Sequence, residues 1–323
     1  MSTTPSKEAK IRVRLSAIQY AARDTHLYEF TRLDGAPLPD VEPGAHIGLH
    51  LPNGMMRQYS LVYSGAAPSR YVVGIKRDAN SRGGSRYIHE SLRVGTEIDI
   101  DAPRNNFPLN AEASHSVFFA GGIGITPIWC MAQKMEALGR SYEVHFATRT
   151  RAEAAFVKEL QALKGAKQIH LHFDDEQSGK FLNIKPIVDA APAGSHMYCC
   201  GPAPMMGGFE AALASRPKEF MHVEYFSAKE EASLGGGYVV QLAKSGKEFT
   251  IPAGKSILQV LNDAGVFVSS SCEEGVCGAC ETVVISGEPD HRDAILSDEE
   301  KRVSKTMMIC VSGSKGGKLV LDL

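Results

Sequence analysis

Between Ile11 and Leu109 apolar and polar side chains alternate in short runs, such as Ile11-Arg-Val-Arg-Leu15, His46-Ile-Gly-Leu-His-Leu51 and Tyr71-Val-Val-Gly-Ile75, cut by turns rich in Pro, Gly, Asn and Asp. A period of two puts one face of each run in a core and the other in water, so this segment predicts antiparallel strands in a barrel or sandwich. From Val117 the period changes: a continuous apolar run (Val117-Phe-Phe-Ala120), a glycine turn, a helical stretch from Ile128 to Leu138 and a second strand from Tyr142 to Thr148. That is a βαβ pattern and predicts a parallel sheet. Ser227-Ala-Lys-Glu-Glu-Ala-Ser-Leu-Gly-Gly-Gly237 buries little apolar surface and reads as a loose linker. After it, Tyr238-Val-Val-Gln-Leu242 and Glu248-Phe-Thr-Ile251 flank a Lys-Ser-Gly-Lys turn as a hairpin, followed by a short helix near Ser256 to Ala264. The expected division is 1–110, 111–228, a linker at 229–237, and 238–323.

Composition narrows the class. A chain of 323 residues exceeds one typical domain, and 43% hydrophobic with 22% charged residues suits packed cores rather than disorder. The 35 Lys and Arg against 37 Asp and Glu leave a net charge of −2, which argues against a nucleic-acid partner. No run reaches the about 18 to 20 apolar residues of a membrane span, and the polar start Met1-Ser-Thr-Thr-Pro-Ser-Lys-Glu-Ala-Lys10 has no apolar signal region, so no membrane association and a cytoplasmic location are expected. In that setting seven cysteines point to metal or catalysis rather than disulfides.

Four of the seven make a pattern: Cys272-x4-Cys277-x2-Cys280, then Cys310 after 29 intervening residues, the plant-type spacing for a [2Fe-2S] cluster. The loop Ser269-Ser-Ser-Cys-Glu-Glu-Gly-Val-Cys-Gly-Ala-Cys280 is made largely of small residues. Gly275 and Gly278 can take the positive φ that lets backbone N–H groups wrap the sulfurs. A structural zinc site usually shows two paired short spacings, and here the fourth cysteine stands alone. The last 86 residues resemble a plant-type ferredoxin, which implies a β-grasp, α+β domain with Met307-Met-Ile-Cys-Val311 as a return strand.

Three upstream segments carry further candidates. Along Arg57-Gln-Tyr-Ser-Leu-Val-Tyr-Ser64, strand alternation sets Arg57, Tyr59 and Leu61 against Gln58 and Ser60. A ring beside a hydroxyl suits a planar ligand, and equally suits a barrel strand with one buried Tyr. Lys76-Arg-Asp-Ala-Asn-Ser-Arg-Gly-Gly-Ser-Arg-Tyr-Ile-His89 runs into an amphipathic helix, where Ser85 as cap, the paired glycines and Arg82 or Arg86 could hold a phosphate. A flexible basic turn has the same composition. Ala120-Gly-Gly-Ile-Gly-Ile-Thr-Pro127 opens a helix after a strand, where a dinucleotide pyrophosphate can approach N–H groups, but it departs from G-x-G-x-x-G.

Together these segments resemble the ferredoxin reductase superfamily: R-x-Y-S-L its flavin strand, G-G-x-G-x-T-P its nucleotide loop, and Tyr198-Cys-Cys-Gly-Pro-Ala-Pro-Met-Met206 its Cys-Gly-Pro turn. The loop Arg82-Gly-Gly-Ser85 resembles the FMN-phosphate loop of the phthalate dioxygenase reductase family, and the likeness covers the whole chain, domain order included. It implies an antiparallel β-barrel that binds FMN, an α/β parallel-sheet nucleotide domain and the C-terminal ferredoxin. It implies Arg57, Gln58, Tyr59, Ser60, Leu61, Gly74, Lys76, Arg82, Gly83, Gly84 and Ser85 at FMN, with Ser60 near flavin N5. At the nucleotide it implies Gly121, Gly122, Gly124, Thr126, Pro127, Thr148, Arg149, Cys200, Gly201, Pro202 and Met205, with Cys200 near the reacting nicotinamide carbon. Phe226, or Tyr225 if the register slips, matches the aromatic that covers the flavin. Cys130 and Cys199 read as core.

Hydride arrives as an electron pair and an iron–sulfur cluster accepts one electron at a time, so a flavin between them completes a path from NAD(P)H to a partner protein. Thr148-Arg-Thr-Arg151 has no acidic residue for a ribose hydroxyl and so favours NADPH; the resemblance favours NADH, which is the expectation. The family implies a separate terminal oxygenase of Rieske type that hydroxylates or demethylates aromatic acids. A cytochrome P450 partner and a redox-sensing iron–sulfur flavoprotein are the alternatives. Residues 238–323 carry net −3 against +1 for the rest, with Glu273 and Glu274 as candidate docking charges.

Overall fold

The alternating N-terminal runs form β1 (Ile11–Ala22), β2 (Thr25–Arg32), β3 (His46–His50), β4 (Met56–Ser60), β5 (Tyr71–Lys76) and, after helix α1 (Gly84–Ser91), β6 (Glu97–Ile100), in a computed structural model that describes residues 10–78, 83–165 and 168–323. The strands lie in the order β4-β3-β6-β1-β2-β5, paired antiparallel throughout. Leu61, one residue past β4, bridges Val73 of β5, so the two edges meet and the sheet closes as a barrel. Inside are the inward halves of the alternation, among them Val13, Leu15, Tyr28, Phe30, Ile47, Leu49, Val73 and Ile98, and α1 adds Ile88 to them.

The second sheet comprises β7 (His115–Gly121), α2 (Ile125–Ala137), β8 (Ser141–Thr148), α3 (Val157–Gln161), β9 (Ile169–Phe173), α4 (Ile184–Ala190), β10 (His196–Cys200), α5 (Ala203–Leu213) and β11 (Met221–Glu224). It is parallel in the order β11-β10-β7-β8-β9. The chain steps outward from β7 in one direction, then returns to β10 on its other side. That reversal leaves a crevice between the carboxyl ends of β7 and β10, where ligands of open α/β sheets bind. Helix α2 starts at Ile125 rather than Ile128, because Pro127 in the first turn lacks only an N–H that has no intrahelical partner there. Barrel and sheet share a core: Val62, Val72 and Phe107 pack with Ile125, Trp129 and Tyr198, and Gln133 Nε2 donates to the Val62 carbonyl (2.9 Å). The two therefore form one compact unit, Met1–Glu224.

The second unit, Tyr225–Leu323, holds β12 (Tyr238–Leu242), β13 (Glu248–Ile251), α6 (Ile257–Asp263), β14 (Glu281–Ser286), β15 (Pro289–Asp290), α7 (Asp298–Val303), β16 (Thr306–Met308), β17 (Gly313–Ser314) and β18 (Lys318–Leu321). Its main sheet runs β13-β12-β18-β14-β16, with β12 and β18 parallel and α6 packed on the core through Ile257, Leu258 and Leu261. The expected return strand is shorter than its apolar run, since the chain turns after Met308 and carries Cys310 toward the cysteine loop. The glycine-rich segment read as loose is fastened to this unit. Ser233 N donates to Val311 O (2.7 Å) and Gly237 N to Ile251 O (2.8 Å), and Gly236, at φ 64°, leaves no room for a β-carbon against Ala253 N. Among the described residues no helix is long and apolar enough to cross a membrane.

Candidate functional site

The β3–β4 register sets Ser60 opposite His46 and Gln58 opposite Gly48. Ser60 is 4% exposed and its Oγ has no hydrogen bond of good geometry. Its one close influence is on the Glu224 carboxyl. His46 is buried too, with Nε2 unpartnered, and burial first, then Arg104, holds it down at about 4. Buried polar atoms without partners leave room for a polar ligand edge, and Ser60 and His46 lie opposite each other across β3 and β4. Tyr59 packs against the barrel core, and Leu61 lies within it.

Arg57 Nη1 donates to the Met56 carbonyl (2.8 Å). Its side chain crosses the start of α1 so closely that a β-carbon at Gly84 would stand 2.6 Å from Nε. The helix cap is Gly83, at φ 92°, and not Ser85: a left-handed residue is needed to turn the loop into the helix, and the Ser85 hydroxyl instead accepts from Asp78 N (3.2 Å). Lys76 is engaged by Glu153 (2.9 Å), which reduces what it can offer a phosphate. Arg86 is exposed and shares its cavity with Asp24, Asp78 and Glu90. Arg82 lies outside the described residues.

At the crevice, β7 ends in a single 3-10 turn, Gly122–Gly124, that leads directly into α2. A β-carbon at Gly121 would meet Pro202 Cδ at 2.4 Å, and one at Gly124 would meet the Cys200 carbonyl oxygen at 2.1 Å. Gly201 is pressed in turn against Met205 Sδ and Gly121. These three glycines thus let the turn after β7 and the turn after β10 lie against each other, whereas Gly122, at φ 54° with open space around it, is the one free to face a ligand. Thr126 donates to the Ile123 carbonyl (3.0 Å), and its methyl fills the space a side chain at Gly74 would take, so barrel and nucleotide turn meet there.

Cys200 is fully buried, its thiol pushed well up by burial and then by Glu224, whose Oε2 lies 4.0 Å from Sγ. Glu224 itself is raised to about 8 by burial, with Ser60 easing it. Sequence reasoning passed over Glu224. Only the parallel register of β10 and β11, which pairs Cys200 with Glu224, brings it to the crevice; a carboxylate closing an otherwise apolar strand was the available signal. Cys199 and Cys130 are buried, as expected of core residues.

Past β8, Thr148 donates to Thr150 O (2.9 Å) and Arg149 is exposed. Arg151 is committed elsewhere: it bonds Glu176 (3.1 Å) and stacks 4.3 Å over Phe173. The acidic turn Asp174–Gln177 stands alongside, joined by the Asp175 N to Arg149 O bond (3.1 Å). This carboxylate-rich surround disfavours a 2′-phosphate.

In the second unit the four cysteines are free thiols that lie in two hydrogen-bonded pairs, Cys272 with Cys277 and Cys280 with Cys310. The Cys277 thiol pulls Cys272 down to about 6, and the same bond pushes Cys277 up. Backbone N–H groups of Glu274 (3.3 Å) and Val276 reach Cys272, that of Ala279 reaches Cys277 and that of Gly275 reaches Cys310. Two irons with two thiolates each, ringed by N–H donors, fit this arrangement. Gly275 (φ 68°) and Gly278 (φ 75°) take the expected left-handed turns, and a β-carbon at Gly275 would collide with Val311. Glu273 is exposed, and Glu274 is only partly so. Tyr225, under Lys229, begins this unit, and Phe226 after it is 42% exposed.

Residues 240–314 match the 2Fe-2S iron-sulfur cluster binding domain family, and 118–211 the oxidoreductase NAD-binding domain family. The chain is 48% identical to phenoxybenzoate dioxygenase subunit beta of Ectopseudomonas oleovorans over 98% of both sequences. The crystal structure of an intact type IV self-sufficient cytochrome P450 monooxygenase superposes with a TM-score of 0.84 at 36% identity, over 97% of this chain but only 41% of that longer one. The solved phthalate dioxygenase reductase, described as a modular structure for electron transfer from pyridine nucleotides to [2Fe-2S], is 39% identical, with a TM-score of 0.75 over 99% of this chain and 100% of that one. Paired thiols, a glycine-packed crevice and end-to-end likeness at that level agree: the chain belongs to the phthalate dioxygenase reductase family.

Proposed function

We propose that this chain oxidises NADH and passes the electrons, through FMN and a [2Fe-2S] cluster, to a separate terminal oxygenase of Rieske type that acts on an aromatic acid by ring dioxygenation or O-demethylation. The observation that carries the reading is the convergence of Ser60, Cys200 and Glu224 at the carboxyl-end topological switch of the parallel sheet. When bound, flavin supplies the conversion from a two-electron donor to a one-electron acceptor.

The chain's own residues supply placement. Ser60 offers its unpartnered hydroxyl to the flavin N5 edge, with Arg57, Gln58, Tyr59, Leu61 and Gly74 around the ring. Gly83, Gly84 and Ser85 receive the phosphate beside α1, with Arg82 and Lys76 near it. Gly122, with Gly121, Gly124, Thr126 and Pro127, admits the pyrophosphate, while Thr148 and Arg149 take the ribose side. Cys200, Gly201, Pro202 and Met205 close on the nicotinamide. Cys272, Cys277, Cys280 and Cys310 hold the cluster. Residues 1–110 and 111–228 thus serve FMN and NADH, 229–237 join them to 238–323, and the work is done in the cytoplasm.

NADH rather than NADPH is supported by the engagement of Arg151 with Glu176. The likeness to a dioxygenase subunit supports a ring-hydroxylating partner, and the likeness to a self-sufficient P450 makes a P450 partner the second reading. Anaerobic titration of the holoprotein with NADH, followed by addition of a purified Rieske oxygenase or P450, tests both. Flavin and cluster bleaching with electrons appearing on the Rieske centre is expected. Transfer to the P450 alone would select the second reading, and transfer to neither would end both.

A further inference from the structure

The second sheet carries a group of ligating side chains that the electron path does not use. Strands β8 and β9 are parallel neighbours with His145 opposite His170, and Glu143, two residues before His145, shares its face. The two imidazoles stack with centroids 4.6 Å apart and planes 10° from parallel. This face is opposite the shared core: Val144 and Phe146 enter that core, whereas His145 stacks on Phe119 at 5.3 Å.

His145 is only 7% exposed, and its Nε2 has no hydrogen-bond partner among the described residues. The nearest carboxylate oxygen, Glu143 Oε1, is 3.6 Å away, beyond hydrogen-bond length. One donor atom from each of the three residues lies within 4.8 Å of the other two. A buried imidazole nitrogen held at ion-pair rather than hydrogen-bond distance from a carboxylate, with a second imidazole stacked beside it, is what a cation site looks like before the cation is in place.

We propose that Glu143, His145 and His170 form a binding site for one divalent cation of the zinc class. Two imidazoles and a carboxylate suit zinc, copper or nickel, whereas magnesium and calcium favour oxygen ligands alone. Tetrahedral zinc, with bonds of about 2.0 to 2.1 Å, wants donor atoms about 3.4 Å apart. Glu143 and His145 already stand near that separation, no donor pair has to close by more than about 1.4 Å, and His170, exposed on the edge strand, is the side chain placed to move. The fourth position opens to water beside His170. Occupied, the site clips the edge strand β9 to β8.

The test uses untagged holoprotein with its cluster loaded, so that the four cluster thiols are already occupied. Equilibrium dialysis against Zn²⁺ followed by elemental analysis is expected to show one equivalent of zinc in addition to iron. His170→Ala and Glu143→Gln should each weaken that binding by about tenfold or more while leaving flavin and cluster absorption unchanged. Cu²⁺ added to the oxidised native protein gives a reading that does not depend on any variant folding: electron paramagnetic resonance should show splitting from two nitrogens. Absence of the extra zinc, zinc binding in both variants as tight as in the native protein, or a copper spectrum without nitrogen splitting would each overturn the proposal.

Discussion

Burial keeps the Glu224 carboxyl protonated until about pH 8 in the folded chain, against an ordinary value of 4.5. Between those values the folded state binds more protons than the unfolded one, so stability falls as pH rises from about 4.5 to about 8. Glu224→Gln removes that titration. The variant should match the native protein near pH 5 and unfold at a higher temperature near pH 9, and identical pH profiles would show that Glu224 is not held neutral. Ser60 works at the same scale. If its unpartnered hydroxyl supports the flavin, Ser60→Ala loses one buried hydrogen bond worth about 1 to 2 kcal/mol, hence about five- to thirtyfold in the rate of flavin reduction by NADH. Stopped-flow absorbance measures it, and an unchanged rate would remove Ser60 from the site. Both residues lie in segments whose importance was visible in the chain. Ser60 stood out as a candidate in R-x-Y-S-L, whereas Glu224 looked like any strand-end charge until its neighbours were known.

Among elements, the turn from β7 into α2 separates two uses of glycine. At Gly124 a β-carbon meets backbone, the Cys200 carbonyl at 2.1 Å, so neither side can yield without parting the two turns. At Gly122 there is open space and only the left-handed φ of 54° to pay for. Gly124→Ala should therefore cost about 1 to 3 kcal/mol of overpacking and weaken NADH binding, whereas Gly122→Ala should cost about 1 kcal/mol of backbone strain. Thermal unfolding with and without NADH ranks them, and the reverse order would contradict the packing role of Gly124. Helix α6 offers a simpler case. Ser256 and Gln259 form a reciprocal capping box, so Ser256→Ala should destabilise the second unit by about 1 kcal/mol in denaturant titration. Period-two and βαβ patterns located most of these elements because they report local burial. The start of α2 and the cap of α1 lie three and two residues before their expected places, since Pro127 and Gly83 act through backbone geometry rather than hydrophobic pattern.

At the scale of the whole molecule, the second unit builds its core around ligands: Cys280 and Cys310 are counted among its buried residues with Met307, Ile309 and Leu319. Stripping iron with a chelator under reducing conditions should therefore expose backbone amides of Tyr225–Leu323 to hydrogen exchange while Met1–Glu224 keeps its protection. Equal loss in both units would show that they do not stand separately. The excess of acidic charge in residues 238–323 bears on the partner. If it steers docking, electron transfer to the oxygenase slows as salt rises, and reversing Glu273, exposed beside the cluster loop, flattens that dependence.

The chain by itself determined the antiparallel, parallel and α+β character of its three main sheets, the cysteine spacing of the candidate cluster loop and the glycine turns, because periodicity and short-range spacing are local properties that a linear pattern preserves. Tertiary structure alone decided that barrel and nucleotide sheet share one core, that the glycine-rich segment 229–237 is tied down, that Arg151 is spent on Glu176, and that Glu224 stands against Cys200 and Glu143 beside two stacked histidines. Those facts depend on register between strands far apart in sequence, where the pairing of one strand with another, not the composition of either, fixes which side chains meet.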